Sequence, residues 1–251
     1  MRMGEEFLEL SARFMFLFPV VGALIGLFAG LYSFLAHYLL TVFFGFVNAT
    51  LFYGSQTSLF SFLANGLASI LTLAFLLVLT GLQHTDGLVD LGNALGIRRA
   101  SVEERAKIAH AWIVTRTGAL LALLVAVVTV LLILLTKTEN IIQSLIVAEV
   151  AAKLAMVTCA WQGNSPQKGL GSIFIDSMKN KHSLFLISLT ISLVIGAILL
   201  DWKGVLAVVS SVAVGGLAIV LGRKVFGGVT GDIFGATNEI ARMVALLALV
   251  W

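Results

Sequence analysis

Seven apolar stretches divide this chain, at about residues 14–40, 59–80, 113–135, 140–161, 184–200, 204–222 and 237–251. A helix crosses the hydrocarbon of a bilayer with about 20 apolar residues, so stretches of this size read as spans. The expected fold is all-α: a polytopic transmembrane helical bundle of about seven spans, built as a single integral-membrane domain over residues 1–251. Composition agrees. Only 12% of residues are charged, against about 25% in a soluble domain. The 24 glycines suit membrane helices packed through small residues. A net charge of +3 is too small to argue for nucleic acid. Cys159 is the single cysteine; it excludes an intramolecular disulfide and reads as a small buried hydrophobe.

The first stretch is too long for one straight crossing. Its tail, Leu39 to Phe52, reads as a tilted extension, an interfacial piece or an eighth span. Ahead of it Arg2, Glu5, Glu6, Glu9 and Arg13 form a mixed-charge head, unlike the start of a cleavable signal. Basic residues arbitrate the topology. With seven spans and a cytoplasmic N-terminus, Arg98, Arg99, Arg105, Lys107, Arg116, Lys168, Lys179, Lys181, Arg223, Lys224 and Arg242 fall inside. Only Lys137 and Lys203 fall outside, a strong positive-inside bias. The polar loops at about 81–112, 162–183 and 223–240 then share the cytoplasmic side, where they can converge.

The first of these loops carries His84-Thr85-Asp86-Gly87-Leu88-Val89-Asp90 and, further on, Asn93. On a helix Asp86, Asp90 and Asn93 share one face. Like charges one turn apart destabilise a helix by roughly 0.2–0.5 kcal/mol, and a divalent cation removes that cost. Hard oxygen ligands favour Mg²⁺, which takes one or two carboxylates and leaves its other positions to water and phosphates. The alternative is a solvated helix start, with Asp86 as its cap and Gly87 in a turn. His84, followed by two aspartates, has the chemistry of a general base or of a group that orients the nucleophile. In loop 223–240, glycines 227, 228, 231 and 235 leave backbone N–H groups free for an anion. Asp232 and Glu239 are spaced for one helix face, with Thr230 as a cap; no Walker or dinucleotide pattern is present. The alternative is a glycine-rich turn that feeds the last helix.

Glu149 and Lys153 lie one turn apart inside the fourth stretch, so they form either a structural ion pair or a substrate site in which Lys153 reaches a phosphate. Arg116 can clamp a phosphate or snorkel to the interface. Glu103, Glu104, Arg105, Lys107 and His110 read as a solvated helix face, and His37 as a hydrogen-bonded core histidine.

The run from His84 to Asp90 resembles the HxDGLxD signature of the cobalamin synthase (adenosylcobinamide-GDP ribazoletransferase) family. Gly228-Val229-Thr230-Gly231-Asp232-Ile233-Phe234-Gly235-Ala236 resembles that family's second signature, G-x-T-G-D-x-x-G-A, and Glu239 follows it. Two weaker likenesses are Phe18-Pro19-Val20-Val21-Gly22-Ala23-Leu24-Ile25-Gly26 and Gly169-Leu170-Gly171 before Phe174. The chain departs from the family where Ala111-Trp112-Ile113-Val114-Thr115-Arg116-Thr117-Gly118 stands for Lys-Asp-x-Arg-x-Gly, keeping Arg116 and Gly118 but no acid. It also has Ala152-Lys153 in place of Ser-Arg and lacks the opening Phe-Leu-Thr-Arg-x-Pro.

The resemblance implies a Mg²⁺-dependent membrane transferase that joins adenosylcobinamide-GDP to α-ribazole or its 5′-phosphate and releases GMP. A 5′ oxygen is the expected nucleophile. Mg²⁺ is expected on Asp86, Asp90 and Asp232; His84, Asp86 and Asp90 are the expected catalytic residues. Asn93, Arg116, Lys153, Thr230, Gly231 and Glu239 are expected to bind substrate. Expected partners are the two substrates and membrane lipid, with a homo-oligomer and association with other cobalamin-assembly enzymes left open. The expected place is the cell membrane, with the site facing the cytoplasm. Two other functions compete. A CDP-alcohol phosphotransferase uses similar aspartates, but its D-G-x-x-A-R pattern fails at Leu88-Val89-Asp90-Leu91. A secondary transporter would place its acids at the bilayer midplane, where only Glu149 and Lys153 qualify.

Overall fold

The computed structural model describes residues 2–97, 99–111 and 113–251. Arg98, Trp112 and the side chains of Leu170 and of the head residues Arg2, Glu5 and Glu6 lie outside the described part. Among the described residues every regular element is a helix. They are α1 (Arg2–Arg13), α2 (Phe18–Leu51), α3 (Thr57–Leu79), α4 (Gln83–Leu95), α5 (Val102–Ala109), α6 (Arg116–Leu135), α7 (Ile141–Gln162), α8 (Leu170–Met178), α9 (His182–Phe226) and α10 (Gly231–Val250). Six of them, α2, α3, α6, α7, α9 and α10, are long and apolar enough to cross a membrane.

The tail at Leu39 to Phe52 is resolved as an extension: α2 runs unbroken for 34 residues. At 1.5 Å per residue it is about 51 Å long, well beyond the ~30 Å hydrocarbon core. The two apolar stretches at 184–200 and 204–222 join as α9, but the rod is broken at Leu200 and Asp201, where Asp201 takes φ 49°. Residues eight apart in a straight helix stand about 12 Å from each other. Here a Cβ on Gly196 would come within 2.8 Å of the Gly204 carbonyl oxygen, so the chain doubles back.

Helix α7 is the axis of the bundle. From Val147 through Ala160 every residue is buried, as expected of a helix that is apolar all round. Helix α2 lies against it through Gly22, Gly26 and Gly30. Added Cβ atoms there would strike the backbone of Glu149, Leu145–Ile146 and Ile142. This small-residue stripe lets dispersion, the main attraction between helices in lipid, act at backbone distance. His37 is a core histidine as expected: its Nδ1 is 2.8 Å from the Ser33 carbonyl.

The polar loops are more ordered than the sequence indicates. Residues 81–112 fold into α4 and α5, 162–183 contains α8, and only residues 227–230 separate α9 from α10. Arg242, counted above among the cytoplasmic charges, is instead fully buried on α10. The length of α10 places it inside a span-forming rod rather than at an interface.

Candidate active site

Gly81 and Leu82 both take left-handed backbone, with φ 76° and 62°, and turn the chain sharply from α3 into α4. Leu82 precedes the helix, so Asp86 lies within its first turn and is not its cap. Helix α4 then crosses the start of α10 at very short range. A Cβ on Gly87 would meet the Asp232 carbonyl oxygen at 2.7 Å, and one on Gly235 would meet the His84 Cα at 3.0 Å. The glycines of both signatures therefore face each other's backbone. They are why two motifs distant in sequence share one place.

On its other side α4 is fixed to α6. A Cβ on Gly92 would stand 2.7 Å from the Gly118 Cα. Asn93 is buried; it donates to the Ile113 carbonyl at 2.8 Å and accepts from Thr115 N at 2.9 Å and Thr115 Oγ1 at 2.8 Å. Its polar atoms hold the lead into α6, which is a positioning task. Arg116 opens α6, exposed and without an ion pair among the described residues.

Asp90 and Asp232 come together across the crossing, and His110 joins them from the end of α5. The ligand atoms of these three lie within 4.8 Å of one another. His110 Nε2 is 3.1 Å from Asp232 Oδ2, to which the Thr230 hydroxyl also donates at 3.2 Å. Thr230 caps α10 as expected, accepting from Ile233 N at 3.4 Å. Sequence reasoning placed His110 on a solvated face. It is half-exposed, but a Ser101–Glu104 capping box starts α5 so that the helix ends against Asp232. Asp86 is not part of this close trio. It is exposed one turn earlier, beside an open depression shared with Gln83, Thr85 and Val89.

Burial first, then the like charges of Asp232 and Asp86, pushes the Asp90 carboxyl up to about 6 from its ordinary 3.8. A flank that holds its own carboxylates against each other in this way suits a divalent cation. The two carboxylates are hard oxygen donors of the kind Mg²⁺ takes, with open positions left for phosphate oxygens, and His110 stands beside them.

Behind α4 a second charged group is buried. Arg242 donates to Glu149 through Nε and to Glu239 through Nη1, the latter at 2.6 Å. Lys153 Nζ donates to Asn238 Oδ1 at 2.5 Å and lies 3.5 Å from Glu149. Lys153 and Glu239, expected to bind substrate, are therefore engaged with protein partners. The Glu149–Lys153 pair is structural, and Arg242 is its unforeseen centre.

His84 lies between this group and a partly open cavity of about 280 Å³. Burial, and then the positive charges of Lys153 and Arg242, lower its pKa from 6.5 to about 3. The ring is thus neutral at physiological pH. A group with so low a pKa is a weak general base.

A bundle of membrane-crossing helices with carboxylates and glycine-rich backbone gathered at one end is the architecture of an integral-membrane enzyme that handles phosphate groups. The comparisons with known proteins specify the family. The family model described as cobalamin-5-phosphate synthase matches residues 36–250, and the chain belongs to that family. A protein of Methanocella arvoryzae named adenosylcobinamide-GDP ribazoletransferase is 34% identical over 198 residues, 71% of this chain and 72% of the relative. Relatives with the same name in Methanococcoides burtonii and Picrophilus torridus are 28% and 25% identical, the latter over 96% of this chain and 90% of its own length. No solved structure matches the chain significantly.

Proposed function

We propose that the chain is an adenosylcobinamide-GDP ribazoletransferase of cobalamin biosynthesis. It joins the cobinamide phosphate of adenosylcobinamide-GDP to α-ribazole or its 5′-phosphate and releases GMP. The observation that carries this is the family match together with the meeting of both signatures at Gly87 and Asp232.

One chemical expectation needs correction. The family description names a cobalamin 5-phosphate as the product. A phosphate that survives on the 5′ oxygen leaves that oxygen unable to attack. The nucleophile is therefore a secondary ribose hydroxyl of the acceptor. It bonds to the phosphorus that carries cobinamide, the bond from that phosphorus to the GMP oxygen breaks, and the hydroxyl proton leaves.

Asp90 and Asp232 would hold a divalent cation, Mg²⁺ in our reading, and Asp86 extends the acidic edge toward the acceptor. The bound metal supplies charge neutralisation on the pyrophosphate oxygens. His110 and Thr230 fix the Asp232 carboxylate, as groups around a metal ligand commonly do. The Asp86 carboxylate is exposed and in no ion pair among the described residues, and it takes the hydroxyl proton. Arg116 faces solvent and contacts a substrate phosphate. Neutral His84 orients the acceptor.

The whole forms one domain in the cell membrane, with its active end in the cytoplasm. Lys137 and Lys203 line one depression at the opposite end, which supports the charge asymmetry behind that orientation. The transporter alternative is not favoured, because Glu149, Lys153, Glu239 and Arg242 pair with one another. The CDP-alcohol alternative is not favoured by the family match. The test is to give the purified protein in liposomes adenosylcobinamide-GDP and α-ribazole with Mg²⁺. GMP and a cobalamin product in equal amounts are expected. CMP release from a CDP-alcohol pair alone, or consumption of no corrinoid, would overturn the assignment.

A further inference from the structure

The cavity beside His84 lies apart from the acidic trio and has its own character. Its walls are Met15, Phe18, Met156, Phe174 and Phe234. Phe174 stands edge-on to Phe18, with centroids 5.8 Å apart, and to Phe234 at 6.3 Å. The polar side chains on it are His84 and Gln83. No hydrogen bond among the described residues uses the His84 ring, and its Nδ1 is buried without a partner. A buried polar group left this way is unfavourable unless a ligand satisfies it. Gln83 lines both this cavity and the open depression in front of Asp86, so the two adjoin there. Gly231 borders the cavity next to Asp232, and nothing stands within 4 Å of where its Cβ would be.

We propose that this cavity seats the aromatic base of the acceptor nucleoside, a benzimidazole-type ring, and that the ribose leaves past Gln83 toward Asp86. The inference rests on the ribazoletransferase reaction and says which substrate goes where. Size decides first. Ligand cavities commonly hold about 300–1,000 Å³. A volume of about 280 Å³ takes a bicyclic base and excludes the corrin macrocycle, which is left to the open face. Chemistry decides second. Guanine carries several polar edge groups that an apolar wall with two polar side chains leaves unpaired. A benzimidazole joined to ribose has one free ring nitrogen, a single acceptor for an N–H of His84. Its flat faces meet Phe174 and Phe234, contacts that favour aromatic ligands beyond their buried area.

The experiment uses the purified full chain in detergent. Phe174→Ala removes a wall, and Phe174→Leu restores an apolar one. Gly231→Leu fills the cavity where there is room for a side chain. Phe174→Ala is expected to raise KM for α-ribazole roughly tenfold and to leave KM for the corrinoid unchanged. Phe174→Leu should recover most of that loss. In equilibrium dialysis with α-ribazole alone, Gly231→Leu should retain none. Wild-type α-ribazole constants in both Phe174→Ala and Gly231→Leu, with the wild-type enzyme active, would overturn the cavity assignment and leave the reaction standing. A rise in the corrinoid KM alone would overturn it too. A wild-type protein that turns over neither substrate would overturn the reaction itself.

Discussion

Two charged groups lie within a few residues of each other in this protein and are built on opposite plans. The buried one is balanced: Glu149 and Glu239 face Lys153 and Arg242, and the bonds among them join α7 to α10. The other is unbalanced. Asp86, Asp90 and Asp232 have one half-exposed imidazole, His110, for company, and burial with mutual repulsion lifts Asp90. A balanced group in a membrane core is a structural solution to the expense of charge in lipid. An unbalanced one at an open end leaves charge that a cation could neutralise. Charge balance, rather than the mere presence of acids, separates the scaffold from the site.

The largest expected effect falls on the balanced group. Arg242→Met leaves two buried carboxylates without their cation, and breaking such a group costs about 3–5 kcal/mol. We expect little folded protein in detergent, read by size exclusion and thermal unfolding. An Arg242→Met protein as stable as wild type would blur the contrast.

On the unbalanced flank the effect should be on rate instead. Asp232→Asn keeps the shape of the side chain and removes a charge. We expect turnover to fall by about 10²–10³-fold, the scale of losing one electrostatic contact to the transition state, with the melting temperature held or raised. His110→Ala should cost about 10–100-fold, as for a group that fixes a metal ligand. The assay is GMP release at saturating substrate. A His110→Ala enzyme with wild-type rates and wild-type metal affinity would remove His110 from the site.

A smaller effect is expected on stability with pH. The folded Asp90 carboxyl titrates at about 6 and its unfolded counterpart near 3.8. Below that window the group is protonated in both states and costs nothing. As pH rises through it, the folded protein is forced to give up a proton it favours, so stability falls and stays lower above about 6. In a chelator the melting temperature should decline across this window, and Asp90→Asn should flatten the decline. Excess Mg²⁺ should reverse it.

How much of this was legible in the sequence depends on range. The spans were readable because each apolar run is its own local signal. The Asp201-Trp202-Lys203 interruption even marked where α9 breaks, since charge inside an apolar run is costly. Helices α4 and α5 showed in the sequence as the helix faces of Asp86–Asn93 and Glu103–His110, but where they pack did not, because both are short and lack the long periodicity of a span. The two signatures could be named, but the meaning of Gly87 and Gly235 emerged only when each was seen against the other motif's backbone. His110 had no local mark at all. It reaches Asp232, 122 residues away, through the fold alone. Arg242 misled because a basic residue near an apolar run looks like a topology signal, and only packing shows the carboxylates around it.

The central claim is that the acidic flank works by holding a divalent cation. The most direct measurement is GMP release by wild type and Asp232→Asn across a Mg²⁺ titration that starts from chelator-treated protein. We predict no turnover in chelator, saturable recovery in the wild type, and in Asp232→Asn either no recovery or recovery displaced to at least about tenfold higher Mg²⁺. Full wild-type turnover in chelator, or an unchanged Mg²⁺ requirement in Asp232→Asn at full rate, would contradict the account.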